Sequence, residues 1–123
     1  MTREFIMLPE FDKQWKSIGL TDKELKSLQE ELTINPNKGD LMQGTGGLRK
    51  IRVAFDGRGK SSSARACYVD FAVYEKIYLI TAYTKNDKDN LTKEERNEVK
   101  QLVELLKKTV DRSWLYERLW KHY

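Results

Sequence analysis

One histidine, one cysteine and two prolines are all that 123 residues hold of these types. A lone cysteine, Cys67, permits no disulfide within the chain and suits a reducing compartment. The histidine is His122, next to the last residue. That excludes a two-histidine acid–base pair and argues against a Ser-His-Asp triad. No Cys/His set has zinc-ligand spacing, and nothing in the sequence points to a metal or another cofactor. No apolar run approaches the length that spans a bilayer. Residues 1–9 carry only a short apolar patch, without the h-region of a secretion signal. The expectation is a cytoplasmic domain with no membrane partner, whose chemistry falls to Lys, Arg and Tyr.

What the chain does have is charge, at 34% of residues, against 39% hydrophobic. That balance predicts one small domain with a modest core under a charged surface. The net charge is +4, and it is not spread evenly. Residues 49–65 carry six cations (Arg49, Lys50, Arg52, Arg58, Lys60 and Arg65) and one acid, Asp56. This segment alone exceeds the basic surplus of the whole chain. Glycines precede it, in Gly44-Thr45-Gly46-Gly47, and interrupt it, in Gly57-Arg58-Gly59. Such a concentration is what binding to a phosphate backbone requires, although a charge run can also be no more than a solvated face. The glycine motif lacks the spacing of a phosphate-binding loop and precedes a strand rather than a helix.

Periodicity supplies the elements. Phe5–Leu8 reads as a short strand. Leu8, Phe11, Trp15 and Ile18 form a helical stripe, with Pro9 in the first turn and Gly19 at the end. Thr21 and Glu24 make a capping box for a second helix faced by Leu25, Leu28 and Leu32, and the Asn35–Asp40 turn ends it. Residues 41–47 read as a polar loop. Three strands follow at Leu48–Phe55, Ala64–Phe71 and Lys76–Tyr83, with Asp56–Ser63 connecting the first two. Thr92 and Glu95 cap a last helix faced by Val99, Leu102, Val103, Leu106 and Val110. The order β-α-α-β-β-β-α predicts an α+β domain over residues 1–108 with a mainly antiparallel sheet. Residues 109–123 read as an aromatic-rich C-terminal extension, with Trp114, Leu115, Leu119 and Trp120 packed on the domain or set at an interface. On Leu48–Phe55 Lys50 and Arg52 share a side, while Arg49 falls with the apolar set. Tyr68, Tyr74, Tyr78 and Tyr83 are available for base stacking or, as half-buried strand residues, for the core.

Several motifs in fixed order carry a resemblance. They are Gly44–Arg52, Gly57–Lys60, Ala64-Arg65, Ile77–Asn86 and Leu91-Thr92. From about Phe5 to about Lys108 the chain resembles RelE/HigB-type toxins of bacterial type II toxin–antitoxin modules. The resemblance implies a small RelE-like fold and a ribosome-dependent mRNA endonuclease that needs no metal. It implies 2′-OH attack on the adjacent phosphate, leaving a cyclic phosphate and a 5′-hydroxyl. As partners it implies the ribosome with its mRNA and a cognate antitoxin, expected to be of helix-turn-helix type, with DNA reached only through the antitoxin complex. By position, Lys50 and Arg52 match the paired basic residues of the family's second strand. Arg65 matches the arginine of its third, and Lys85 the basic position after the last strand. Arg65 and Lys85 would stabilise transition-state charge. Lys50 and Arg52 would bind phosphate, with Lys50 the better candidate for proton transfer. Arg49, Arg58 and Lys60 would grip RNA. Some relatives carry a catalytic tyrosine just before the last helix, where this chain has Leu91. Tyr83 is the candidate substitute, although strand alternation does not settle which way it faces. A non-catalytic RNA- or ribosome-binding module, and a corepressor acting with its antitoxin, remain alternatives.

Overall fold

The computed structural model describes residues 2–56, 63–84 and 91–121. Five strands form one sheet: β1 (Glu4–Met7), β2 (Asp40–Leu41), β3 (Arg49–Ala54), β4 (Ser63–Phe71) and β5 (Lys76–Thr84). Their spatial order is β1-β5-β4-β3-β2. Edge strand β1 runs parallel to β5, and every other pair is antiparallel. Helices α1 (Pro9–Ile18) and α2 (Asp22–Ile34) join β1 to β2, and α3 (Lys93–Lys121) ends the chain. This is the predicted α+β class. The sheet is sandwiched between α1 and α2 on one face and α3 on the other, each side with its own core. Phe11, Trp15, Leu28, Leu32, Ile51, Val53, Tyr68 and Leu79 fill the first. Met42, Leu48, Cys67, Val69, Tyr78, Ile80, Val103 and Val110 fill the second.

The helical hairpin forms where its punctuation predicts. Pro9 occupies the first turn of α1, and Phe11 and Trp15 stack at 5.1 Å on its buried face. Gly19 ends it at φ 96°, and the N–H groups of Gly19 and Leu20 return to the carbonyls of Lys16 and Trp15. The Trp15 indole N–H then donates to the Thr21 carbonyl at 3.0 Å, fixing one helix to the start of the next. At that start the Thr21 N–H donates to Glu24 Oε1 at 2.9 Å, and Lys23 N–H donates to Thr21 Oγ1 at 3.3 Å. The Thr21 hydroxyl donates to the same carboxylate, and with backbone N–H groups it holds the Glu24 carboxyl at about 2, despite partial burial. A carboxyl depressed by folding stabilises the native state above its unfolded pKa. Glu24→Gln therefore lowers stability at pH 7. The gap from the parent protein closes as pH falls from about 4.5 to about 2, and acid-dependent denaturant melts measure it.

Four features depart from the sequence reading or bear on alternatives that it left open. The loop expected at 41–47 begins with β2, whose two residues pair with Lys50 and Arg49. A two-residue strand has too few positions to show alternation. The glycine motif behind it is a joint rather than a cradle. Gly44, Gly46 and Gly47 all take positive φ, and buried Thr45 donates to the Met42 carbonyl and accepts from Leu48 N–H. Arg96 of α3 donates to the Gln43 carbonyl and clamps this joint to the helix.

Tyr68 is unavailable for stacking. It is fully buried, its hydroxyl donating to the Pro36 carbonyl at 2.7 Å and accepting from Gly39 N–H at 2.9 Å. Tyr78 is buried, as its place in an apolar strand suggested, and Tyr74 packs edge-on against Trp114.

Ser63 is not part of a connection. It is the first residue of β4, paired with Ala54 and buried.

Finally, α3 opens on the predicted Thr92/Glu95 box and runs without a break through 109–121. Of the residues expected to pack on the domain or to lie at an interface, Trp114 meets Tyr74, whereas Leu115, Leu119 and Trp120 are more than half exposed. The buried stripe of α3 ends at Val110, so residues beyond Trp114 no longer answer to one buried face. No described helix is long and apolar enough to cross a membrane.

Candidate active site

Alternation assigns the faces of the sheet. Ile51 and Val53 of β3 and Ala64, Ala66 and Tyr68 of β4 lie against α1 and α2. Lys50, Arg52 and Arg65 therefore face the α3 side, with Cys67 and Val69. The register puts Arg52 directly opposite Arg65, and Arg65 directly opposite Tyr83. One row thus crosses three strands, Arg52–Arg65–Tyr83. At ordinary strand spacing it spans about 10 Å. Lys50 lies two residues along β3 from Arg52, about 7 Å away, opposite Cys67.

Tyr83 reaches this face through a bulge. Cys67 pairs with Thr81 but Tyr68 pairs with Leu79, so Ile80 is an extra residue on β5. Before it, Ile77 and Leu79 face the helical hairpin; after it, Ala82 does, and Tyr83 turns to the α3 side. Strict alternation would have kept Tyr83 with Leu79. The bulge resets the parity and sets a phenol beside the arginine.

Like charges directly opposite on adjacent strands repel. Here a shared acceptor sits between them. Arg52 Nε donates to Ser63 Oγ at 3.0 Å, and Arg65 Nη1 donates to the same oxygen at 3.1 Å and to the Ala64 carbonyl at 3.2 Å. Ser63 precedes Arg65 by two and shares its side of β4. That parity was readable from the sequence, but the serine run assigned the residue to a connection. Arg52 is exposed, while Lys50, Arg65 and Tyr83 are half-buried. The row is anchored in the sheet and open to solvent.

Cys67 lies behind the row and is inert. Burial pushes its thiol up to about 12, against the opposing pull of Lys50, so no thiolate forms near neutral pH. Arg49 does not join the cluster. It points to the α2 face, donating to the carbonyls of Asn37 at 3.3 Å and Gly39 at 2.8 Å, where it braces the turn before β2. Arg58, Lys60 and Lys85 lie outside the described residues.

A cleft of about 300 Å³ between α2 and β3 is lined by Glu24, Glu31 and Asp56 together with Arg52 and Lys23, the last paired with Asp56. Three carboxylates against two cations disfavour a polyanion inside the cleft, whereas the row of Arg52 and Arg65 with Lys50 favours one. Guanidinium groups held in fixed positions donate to phosphate oxygens in pairs, and a neighbouring phenol and ammonium can exchange protons. A site of this kind suits phosphate-ester chemistry on a nucleic acid.

Residues 7–117 match the family described as the RelE toxin of the RelE/RelB toxin–antitoxin system. Among solved structures, a mutant of the toxin RelE from E. coli in its free state is similar in fold. The TM-score is 0.56 at 19% identity, over 72% of this chain and 88% of that one.

Proposed function

Because this chain belongs to the RelE toxin family of toxin–antitoxin systems, we propose that it is an endoribonuclease that cuts mRNA on the translating ribosome in the cytoplasm. Its activity is held in check by a cognate antitoxin of helix-turn-helix type, through which alone it meets DNA. The observation that carries this reading is the cross-strand row of Arg52, Arg65 and Tyr83 with Lys50 beside it.

In the proposed reaction the ribose 2′-oxygen attacks the adjacent phosphorus and loses its proton to a base. The 2′-O–P bond forms and the P–O5′ bond breaks. The departing 5′-oxygen takes up a proton, leaving a 2′,3′-cyclic phosphate and a 5′-hydroxyl. The added charge on the phosphorane is met by Arg65 and Arg52, whose fixed guanidinium groups need no reorganisation as it develops. Lys50 and Tyr83 are the side chains available for proton transfer. A metal has no assigned task in this scheme. Lys85, next in sequence after β5, adds a cation to the phosphorane, and Arg58 and Lys60 grip RNA. Arg49 holds the Asn37 and Gly39 carbonyls through Nη1 on the other face of the sheet, so the proposal gives it no part in the reaction and leaves it at most a grip on RNA.

Primer extension on a message translated in the presence of the protein tests the reading. New 5′ ends within codons, bearing hydroxyl rather than phosphate, are the expected result. Stalled but intact message would replace the enzyme with a ribosome-binding protein.

A further inference from the structure

We propose that Ser63 is the positioning residue of this site. Its hydroxyl oxygen holds the Arg52 and Arg65 guanidinium groups at a fixed separation in a conformation ready for phosphate. The inference rests on the function proposed above and adds a residue to its machinery.

Three observations carry it. First, the register places Arg52 and Arg65 face to face, an arrangement that by itself drives the two long side chains apart. Second, a single oxygen accepts from both, at 3.0 Å from Arg52 Nε and 3.1 Å from Arg65 Nη1. A hydroxyl has two lone pairs, so Ser63 can accept from both arginines. Third, Ser63 is only 8% exposed and is the first residue of β4, paired with Ala54. The acceptor is thus fixed by the sheet, whereas both donors sit on flexible stems. Guanidinium groups have five donors each, more than one serine oxygen can take. A neutral acceptor is also the right type. A carboxylate here would bind the arginines more tightly but would cancel charge that the phosphorane needs.

The role predicts a particular kinetic split. Ser63→Ala leaves both charges in place, so substrate binding persists, but the two forks lose their common reference. The kcat for cleavage on programmed ribosomes falls about tenfold, with KM within about twofold of the parent. Ser63→Thr keeps the oxygen and restores most of kcat. In parallel, the arginine Nε–H resonance of Arg52 in the free protein shifts and exchanges faster with water in Ser63→Ala. Parent-like kcat in Ser63→Ala, a loss confined to KM, or an unmoved Arg52 Nε–H resonance each overturns the proposal. If the threonine methyl prevents folding in this buried place, the alanine kinetics and the resonance decide alone. A parent protein that cuts no translated message overturns the proposed function instead. The resonance comparison then still decides whether Ser63 holds the two arginines.

Discussion

Arg65→Ala reduces message cleavage by about 10²–10³-fold while the protein stays folded. Loss of one preorganised donor to developing oxyanion charge has that effect in other enzymes. Arg65 is the middle of the row, opposite Arg52 on one side and Tyr83 on the other. It is half-buried, and its contacts with Ser63 and the Ala64 carbonyl fix the fork. Its removal leaves no buried charge without a partner, because the guanidinium itself is what leaves. Thermal melting of the variant should therefore stay within a few degrees of the parent. Arg65→Lys keeps the charge but not the planar fork, and recovers only part of the rate. Single-turnover cleavage on programmed ribosomes measures all three proteins. Parent-like cleavage by folded Arg65→Ala would remove this residue from the mechanism.

Gly39→Ala destabilises the protein by about 2–3 kcal/mol, a drop of roughly 10 °C in melting temperature. A Cβ at this position would lie 2.8 Å from both Cε1 and the hydroxyl of Tyr68, and 2.9 Å from the Lys50 carbonyl oxygen. None of these can move aside cheaply. Tyr68 is fully buried and tied at its hydroxyl to Pro36 and to Gly39 itself. The Lys50 carbonyl belongs to the strand that carries the cations. The same turn receives the Arg49 guanidinium at the Gly39 carbonyl, so the substitution loosens the edge of β3 where the site begins. Gly44→Ala is the control. It sits at φ 78° with nothing within 4 Å of a new Cβ, so only the left-handed backbone term applies, about 1–2 kcal/mol. Equal melting temperatures for parent and Gly39→Ala would contradict the close packing described here.

Most of the scaffold was legible because its signals are local. Pro9, Gly19 and the Thr21/Glu24 and Thr92/Glu95 boxes mark helix ends within three or four residues, and the alternation in β3 and β4 sorts their faces without long-range knowledge. The pairing of Lys50 with Arg52 on one side of β3 followed from parity alone. What escaped depends on contacts between distant segments. The bulge at Ile80 is a property of the β4–β5 register, and it alone decides that Tyr83 faces Arg65. The burial of Tyr68 depends on a turn 29 to 32 residues earlier in the chain. Ser63 belongs by composition to a serine run and by structure to the strand that carries the arginine. The continuity of α3 through 109–121 has no breaker to hide it, but its inward stripe lapses where the buried face ends, and the period goes with it.

Mapping 5′ ends on one translated message, with the parent protein and folded Arg65→Ala assayed side by side, tests most directly whether facing guanidinium groups break the RNA backbone. The account predicts cuts within codons for the parent and almost none for the variant. Equal cutting by both, or none by the parent, would contradict it.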